Sequence, residues 1–163
     1  MTPSTHFAMM PRLSLVLALA AALAACGGGD DPARTAQRTA AHRAACVAEE
    51  LAIQANSKIS SLDTMRTRVP GSFVNQVFPF ARAYFDYAKL RERQAAWADS
   101  ASSATSAQDS ARFAGEAARA APPRGRPGSI EANAVESYER DYAAAMANPD
   151  HPCNQQAVTG EER

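Results

Sequence analysis

The sequence predicts an all-α fold, a small bundle of three to four helices behind a flexible N-terminal tether. Three observations carry this. Apolar residues, many of them alanine, recur at steps of three and four along most of the chain, the period of one helical face. The alternating β-branched runs that a sheet requires are missing from the sequence. Helix-breaking chemistry gathers mainly at a few places: Asp31-Pro32, Val69-Pro70-Gly71-Ser72, Pro122 to Gly128, and Asn148-Pro149. Because alanine buries little area, the expected core is thin and its helices must pack closely.

Asp31-Pro32 reads as a helix start, with Asp as N-cap and Pro in the first turn. The stripe Ala33, Ala36, Ala40, Ala44, Val47, Leu51, Ala55, Ile59, Leu62, Met65 and Val69 continues one face to the Pro70-Gly71 stop. A second helix begins near Ser72 and runs to Trp97 or Ala98, with Val77, Ala81, Tyr84, Phe85 and Ala88 as its stripe. Pro79 must lie in the first turn or kink the helix, because it has no N–H and crowds the preceding turn. Asp99 to Ser110 is rich in Ser and Ala and admits either a loop or a continuing helix. Ala104, Ala107, Ala111, Ala114, Ala118 and Ala121 favour helix, while Asp109, Arg112, Glu116 and Arg119 alternate in sign on the far side, as on a solvated face with local ion pairs. The Pro- and Gly-rich run 122–128 is a linker. Ser129 can cap a last helix buried through Ile130, Ala134, Val135, Tyr138, Tyr142, Ala145 and Met146. The helical domain is thus expected over 32–153, followed by a disordered polar tail at 154–163.

The chain begins differently. Leu13 to Ala25 is uncharged and apolar, too short for the roughly 20 apolar residues of a membrane span but suited to an export signal, with Arg12 as its positive flank. Met9 or Met10 would give that signal a more usual start than Met1. The run ends in Leu23-Ala24-Ala25-Cys26, which resembles the lipobox of bacterial lipoproteins. The resemblance covers only residues 1–26. It implies that 1–25 are removed, that Cys26 carries a diacylglyceryl thioether and an acylated amine, and that the protein is anchored in lipid. Residues 26–31 then form a Gly-rich tether, since a glycine run is flexible and offers nothing to bind. By the same resemblance, Gly27 after the lipidated Cys points to the outer membrane, with the domain facing the periplasm.

Seventeen Lys and Arg balance seventeen Asp and Glu, and loss of Arg12 with the leader leaves the mature chain one unit negative. Such a chain has no general pull on nucleic acid, and none is expected as a partner.

Cys46 and Cys153 remain once Cys26 is lipidated. In an oxidising compartment such a pair reads as a disulfide, closing a loop long enough to be worth about 4–5 kcal/mol in the chain-entropy account. There is a metal alternative. His42 and Cys46 are four apart on one helical face, and His151 and Cys153 flank Pro152, so His42, Cys46, His151 and Cys153 could hold Zn(II) or Cu(I) tetrahedrally. The disulfide is the expectation, with no cofactor.

Six of the mature chain's aromatics lie between Phe73 and Tyr87, more than one narrow helix face can bury. Phe80, Tyr84 and Tyr87 are therefore candidates for a partner-binding patch. Phosphate-binding and catalytic signatures (a Gly-rich phosphate loop, Gly-x-Ser-x-Gly, His-Glu-x-x-His) are missing, and Glu49-Glu50 point to different helix sides. The expected role is non-enzymatic: binding another envelope or periplasmic protein as a scaffold, accessory subunit, or immunity or inhibitor protein. The alternative is a carrier of a metal ion or small apolar ligand.

Overall fold

The structure, a computed structural model, describes residues 31–69 and 73–159. The leader, Cys26 and the glycine run lie outside the described residues. Those described form five helices and no strand: α1 (Pro32–Arg68), α2 (Val74–Ser103), α3 (Ala107–Arg119), α4 (Ile130–Ala147) and α5 (Pro152–Thr159).

Capping explains where most of these begin. The Ala33 N–H donates to Asp31 Oδ1 at 3.0 Å, with Pro32 in the first turn, where a missing N–H costs nothing. Ser129 accepts from the Ala132 N–H and starts α4 in the same way. Between them, the Asp99–Ser110 stretch proves to be both helix and break. α2 continues to Ser103, the chain turns at Ala104–Ser106, and Ser106 caps α3 by accepting from the Asp109 N–H while donating to the Asp109 carboxylate. The Ser110 hydroxyl donates back to the Ala101 carbonyl, pinning α3 to the end of α2. Pro79 sits inside α2. In the linker, Gly125 has φ +73°, and a Cβ there would come within 2.9 Å of the Ala132 nitrogen, so the chain needs glycine at this approach to α4.

α1 and α2 run antiparallel as the long frame of the molecule. α3 packs on α2, α4 on α2 and α1, and α5 on α1. The α2 C-terminus is held from α1: Arg34 donates to the Ala104 carbonyl and Arg38 to the Ser102 carbonyl, placing cations where the helix dipole is negative.

The core lies where four helices meet. Val47, Leu51, Ala52 and Ala55 of α1 close on Tyr87 and Ala88 of α2, Tyr138 of α4 and Cys153 of α5. Tyr138 and Val47 are fully buried. Tyr84 and Tyr87 meet the Tyr138 ring edge-on at 5.6 and 5.2 Å, and Tyr142 stacks on it at 6.2 Å. Tyrosine supplies the bulk that alanine lacks.

The α1 stripe is buried only in its middle. Ala33, Ala36 and Ala40 are exposed because α3 packs on α2 rather than on α1. The result is an open alanine-walled cleft of about 630 Å³ between the three helices. At the other end, Met65 and Val69 are also exposed.

The expectation of a disordered tail at 154–163 needs correction up to Thr159, while 160–163 lie outside the described residues. α5 extends to Thr159, and Asn154 is buried. Its amide donates to the Ala145 and Asn148 carbonyls while its oxygen accepts from Arg43, which also donates to the Met146 carbonyl. This network satisfies the last carbonyls of α4 with side chains from α1 and α5.

Candidate functional site

Two regions outside the tyrosine core carry chemistry that packing alone does not account for: the disulfide end and the α1–α2 tip.

At the first, Cys46 and Cys153 are disulfide-bonded, with Cα atoms 5.7 Å apart across a separation of 107 residues. His151 lies beside the bond. Its Nδ1 accepts from the Cys153 N–H, and its Nε2 is 3.3 Å from the Glu50 carboxylate. Ligand atoms of Glu50, His151 and Cys153 fall within 4.8 Å of one another, but the Cys153 sulfur is committed to Cys46 and is not a thiolate. His42 does not join them; its Nδ1 lies 3.2 Å from Asp99 of α2. Being four residues before Cys46 puts it on the same broad face, yet turned toward α2 rather than α5. The structure therefore does not bring the set His42, Cys46, His151 and Cys153 together.

Along α2, the three candidate aromatics separate. Tyr87 belongs to the core: it is buried and its hydroxyl donates to Glu139 at 2.6 Å. It is not part of an exposed patch. Tyr84 is half-buried and donates to Asp141 at 2.8 Å. Burial first, and then these carboxylate partners, raise both phenols well above their ordinary pKa. Phe80 alone is exposed, at 38%.

Phe80 has neighbours that periodicity had assigned to the buried stripe or left out. Met65 (49% exposed) lines a groove with it, and Val69 (57%) and Phe73 (72%), where α1 ends and α2 begins, are exposed as well. Arg66 lies 4.3 Å from the Phe78 ring and pairs with Asp63. Below the tip, a groove of about 570 Å³ opens between α1, α2 and α4. Leu62, Met65, Phe80 and Ala81 line its apolar part; Lys58 and Arg140 stand at its rim. Sequence reading missed Met65, Val69, Lys58 and Arg140. The one available signal was that the α1 stripe runs on to Val69, further than a domain with short partner helices can cover.

Compared with known proteins, the chain matches no family model, and no curated protein or solved structure shows significant similarity to it.

Proposed function

We propose that the protein is a periplasm-facing lipoprotein of the outer membrane, held by an acylated Cys26, with a non-enzymatic role in binding another envelope or periplasmic protein. It would serve as a scaffold or accessory subunit, or as an immunity or inhibitor protein. The observation that carries the binding role is the exposed apolar tip formed by Met65, Val69, Phe73 and Phe80. Isolated exposed apolar residues are ordinary, but several large ones where α1 ends and α2 begins, two of them lining one groove, are characteristic of recognition surfaces. The placement of the tip adds support. At 1.5 Å per residue, the 37-residue α1 sets Arg68 about 55 Å from Pro32, where the tether enters. A tip that far from the anchor is suited to a partner away from the anchoring point. Anchorage is supported by Leu23-Ala24-Ala25-Cys26, and export by the disulfide, which persists in oxidising compartments.

Labelling cells with a tagged fatty acid tests the anchor: incorporation should be lost in Cys26→Ser, and equal incorporation in the variant would overturn it. A second reading, a carrier of a small apolar ligand, is favoured by the alanine-walled cleft alone. Native mass spectrometry of protein taken from its own envelope would reveal a co-purifying ligand of discrete mass if that reading holds.

A further inference from the structure

We propose that the groove between α1, α2 and α4 receives the apolar face of an acidic amphipathic helix from the partner protein, an inference that rests on the protein-binding role above.

Three features of the groove select this occupant. The first is its wall. The groove is bounded by helices whose backbone groups are bonded within themselves, so it offers no edge to an extended peptide. A strand laid there would lose water from its N–H and C=O groups without replacement, whereas a helix brings its own bonds. The second is its length. From Ala55 to Met65 the α1 wall runs about 15 Å, enough for anchors at i, i+4 and i+7 of a docked helix. An incoming helix would pack against α1, α2 and α4 together and cover the exposed faces of Met65 and Phe80.

The third feature is charge. Lys58 and Arg140 are exposed on opposite walls of the groove, and neither has a carboxylate within ion-pair distance among the described residues. Among the described residues, Arg140 donates only to the Ser137 hydroxyl of its own helix. The acidic rim residue, Asp141, already accepts the Tyr84 hydroxyl. The serines Ser57 and Ser61 add no competing charge; the Ser61 hydroxyl donates within its own helix. The lining therefore carries two cations against one carboxylate, a net positive charge beside an apolar trough, and carboxylates flanking an apolar stripe complement it.

The test is photocrosslinking in cells with a benzoylphenylalanine placed at Ser61, in the groove, or at Phe73, on the tip, followed by sequencing of the crosslinked peptide. From Ser61, the captured segment should carry apolar residues at helical spacing with at least one flanking Asp or Glu. Capture should fall about tenfold in the double variant Lys58→Glu, Arg140→Glu, whose melting temperature should match the parent because both residues are exposed. A basic or extended segment, a lipid adduct, or a second copy of this chain captured at Ser61 would overturn the proposal. So would undiminished capture after charge reversal. A protein captured at Phe73 but none at Ser61 would overturn the groove assignment and leave the binding role standing. No protein capture at either position would overturn both.

Discussion

Two regions of the α1–α2 frame, the α1–α5 junction and the place where α1 ends and α2 begins, are built on opposite terms. Where α5 meets α1, every device points inward: a disulfide, a buried asparagine, an arginine that reaches two helices, and a histidine paired with Glu50. Where α1 ends and α2 begins, four large apolar side chains are exposed, and Phe73, at the N-terminus of α2, makes no side-chain cap. The difference teaches how a thin alanine-rich core can leave apolar surface free. Stability is concentrated at one closed junction midway along α1 by covalent and polar links, and the far end of α1 need not bury what it carries.

The comparison breaks most sharply at the disulfide. The paired change Cys46→Ser, Cys153→Ser should cost about 4–5 kcal/mol, the chain-entropy value for a loop of this length. Urea denaturation of oxidised parent and variant measures it. A loss under 1 kcal/mol would mean that the polar network of Arg43 and Asn154 holds α5 without the bond, and that the closed junction owes little to covalent closure.

Tyr87 and Phe80 lie seven residues apart on α2 and sharpen the same contrast one ring at a time. Tyr87→Ala empties a site in the core and abandons the Glu139 hydrogen bond, so a loss of about 3–5 kcal/mol is expected. Phe80→Ala, at a ring already in contact with water, should cost about 1 kcal/mol or less. Thermal melts compare them directly. Equal losses would place Phe80 in the core and remove the central member of the tip.

These two residues also mark where the sequence was readable. Caps are local, and Asp31, Ser129 and the Cys46–Cys153 pair could be identified from a few letters each. So could the ion pairs along α3, where Asp109–Arg112 and Glu116–Arg119 are set by spacing of three. Periodicity likewise found the α1 face, but a stripe does not carry information on how much of its length a partner helix will cover. Ala33 and Val69 obey the same period as Val47, and only the lengths and docking of α3, α4 and α5 distinguish them. Tyr87 looked like surplus because too many rings crowded α2. It is buried because α4 presents Tyr138 and Glu139 to that side, a contact 52 residues away. Asn154 had the least local signal of all: a polar residue in a polar tail, buried because carbonyls and a guanidinium from two other helices converge on it.

The smallest expected effect lies at the centre of the core. The Tyr138 ring is fully buried, and its hydroxyl has no hydrogen-bond partner among the described residues. Tyr138→Phe keeps the ring and its contacts with Tyr84, Tyr87 and Tyr142 and removes only that hydroxyl. Since an unpartnered buried polar group is a cost rather than a gain, stability at pH 7 should stay within about 0.5 kcal/mol or rise slightly. Alkali should then separate variant from parent. Burial holds the phenols of Tyr84, Tyr87 and Tyr138 above their ordinary pKa. In the unfolded chain these groups lose their protons near pH 10, whereas in the folded protein they keep them, so the unfolded state binds fewer protons there. Their contribution is fully present below about pH 10 and is lost as pH climbs beyond it. Removing one of these phenols should make the fall in melting temperature between pH 10 and 12 shallower for Tyr138→Phe than for the parent, with the two curves superposed at pH 7. A clear drop at pH 7 would mean that the hydroxyl is bonded after all. Parallel alkaline curves would mean that Tyr138 ionises with the same ease folded or unfolded, and that the tyrosine core is wetter than its packing indicates.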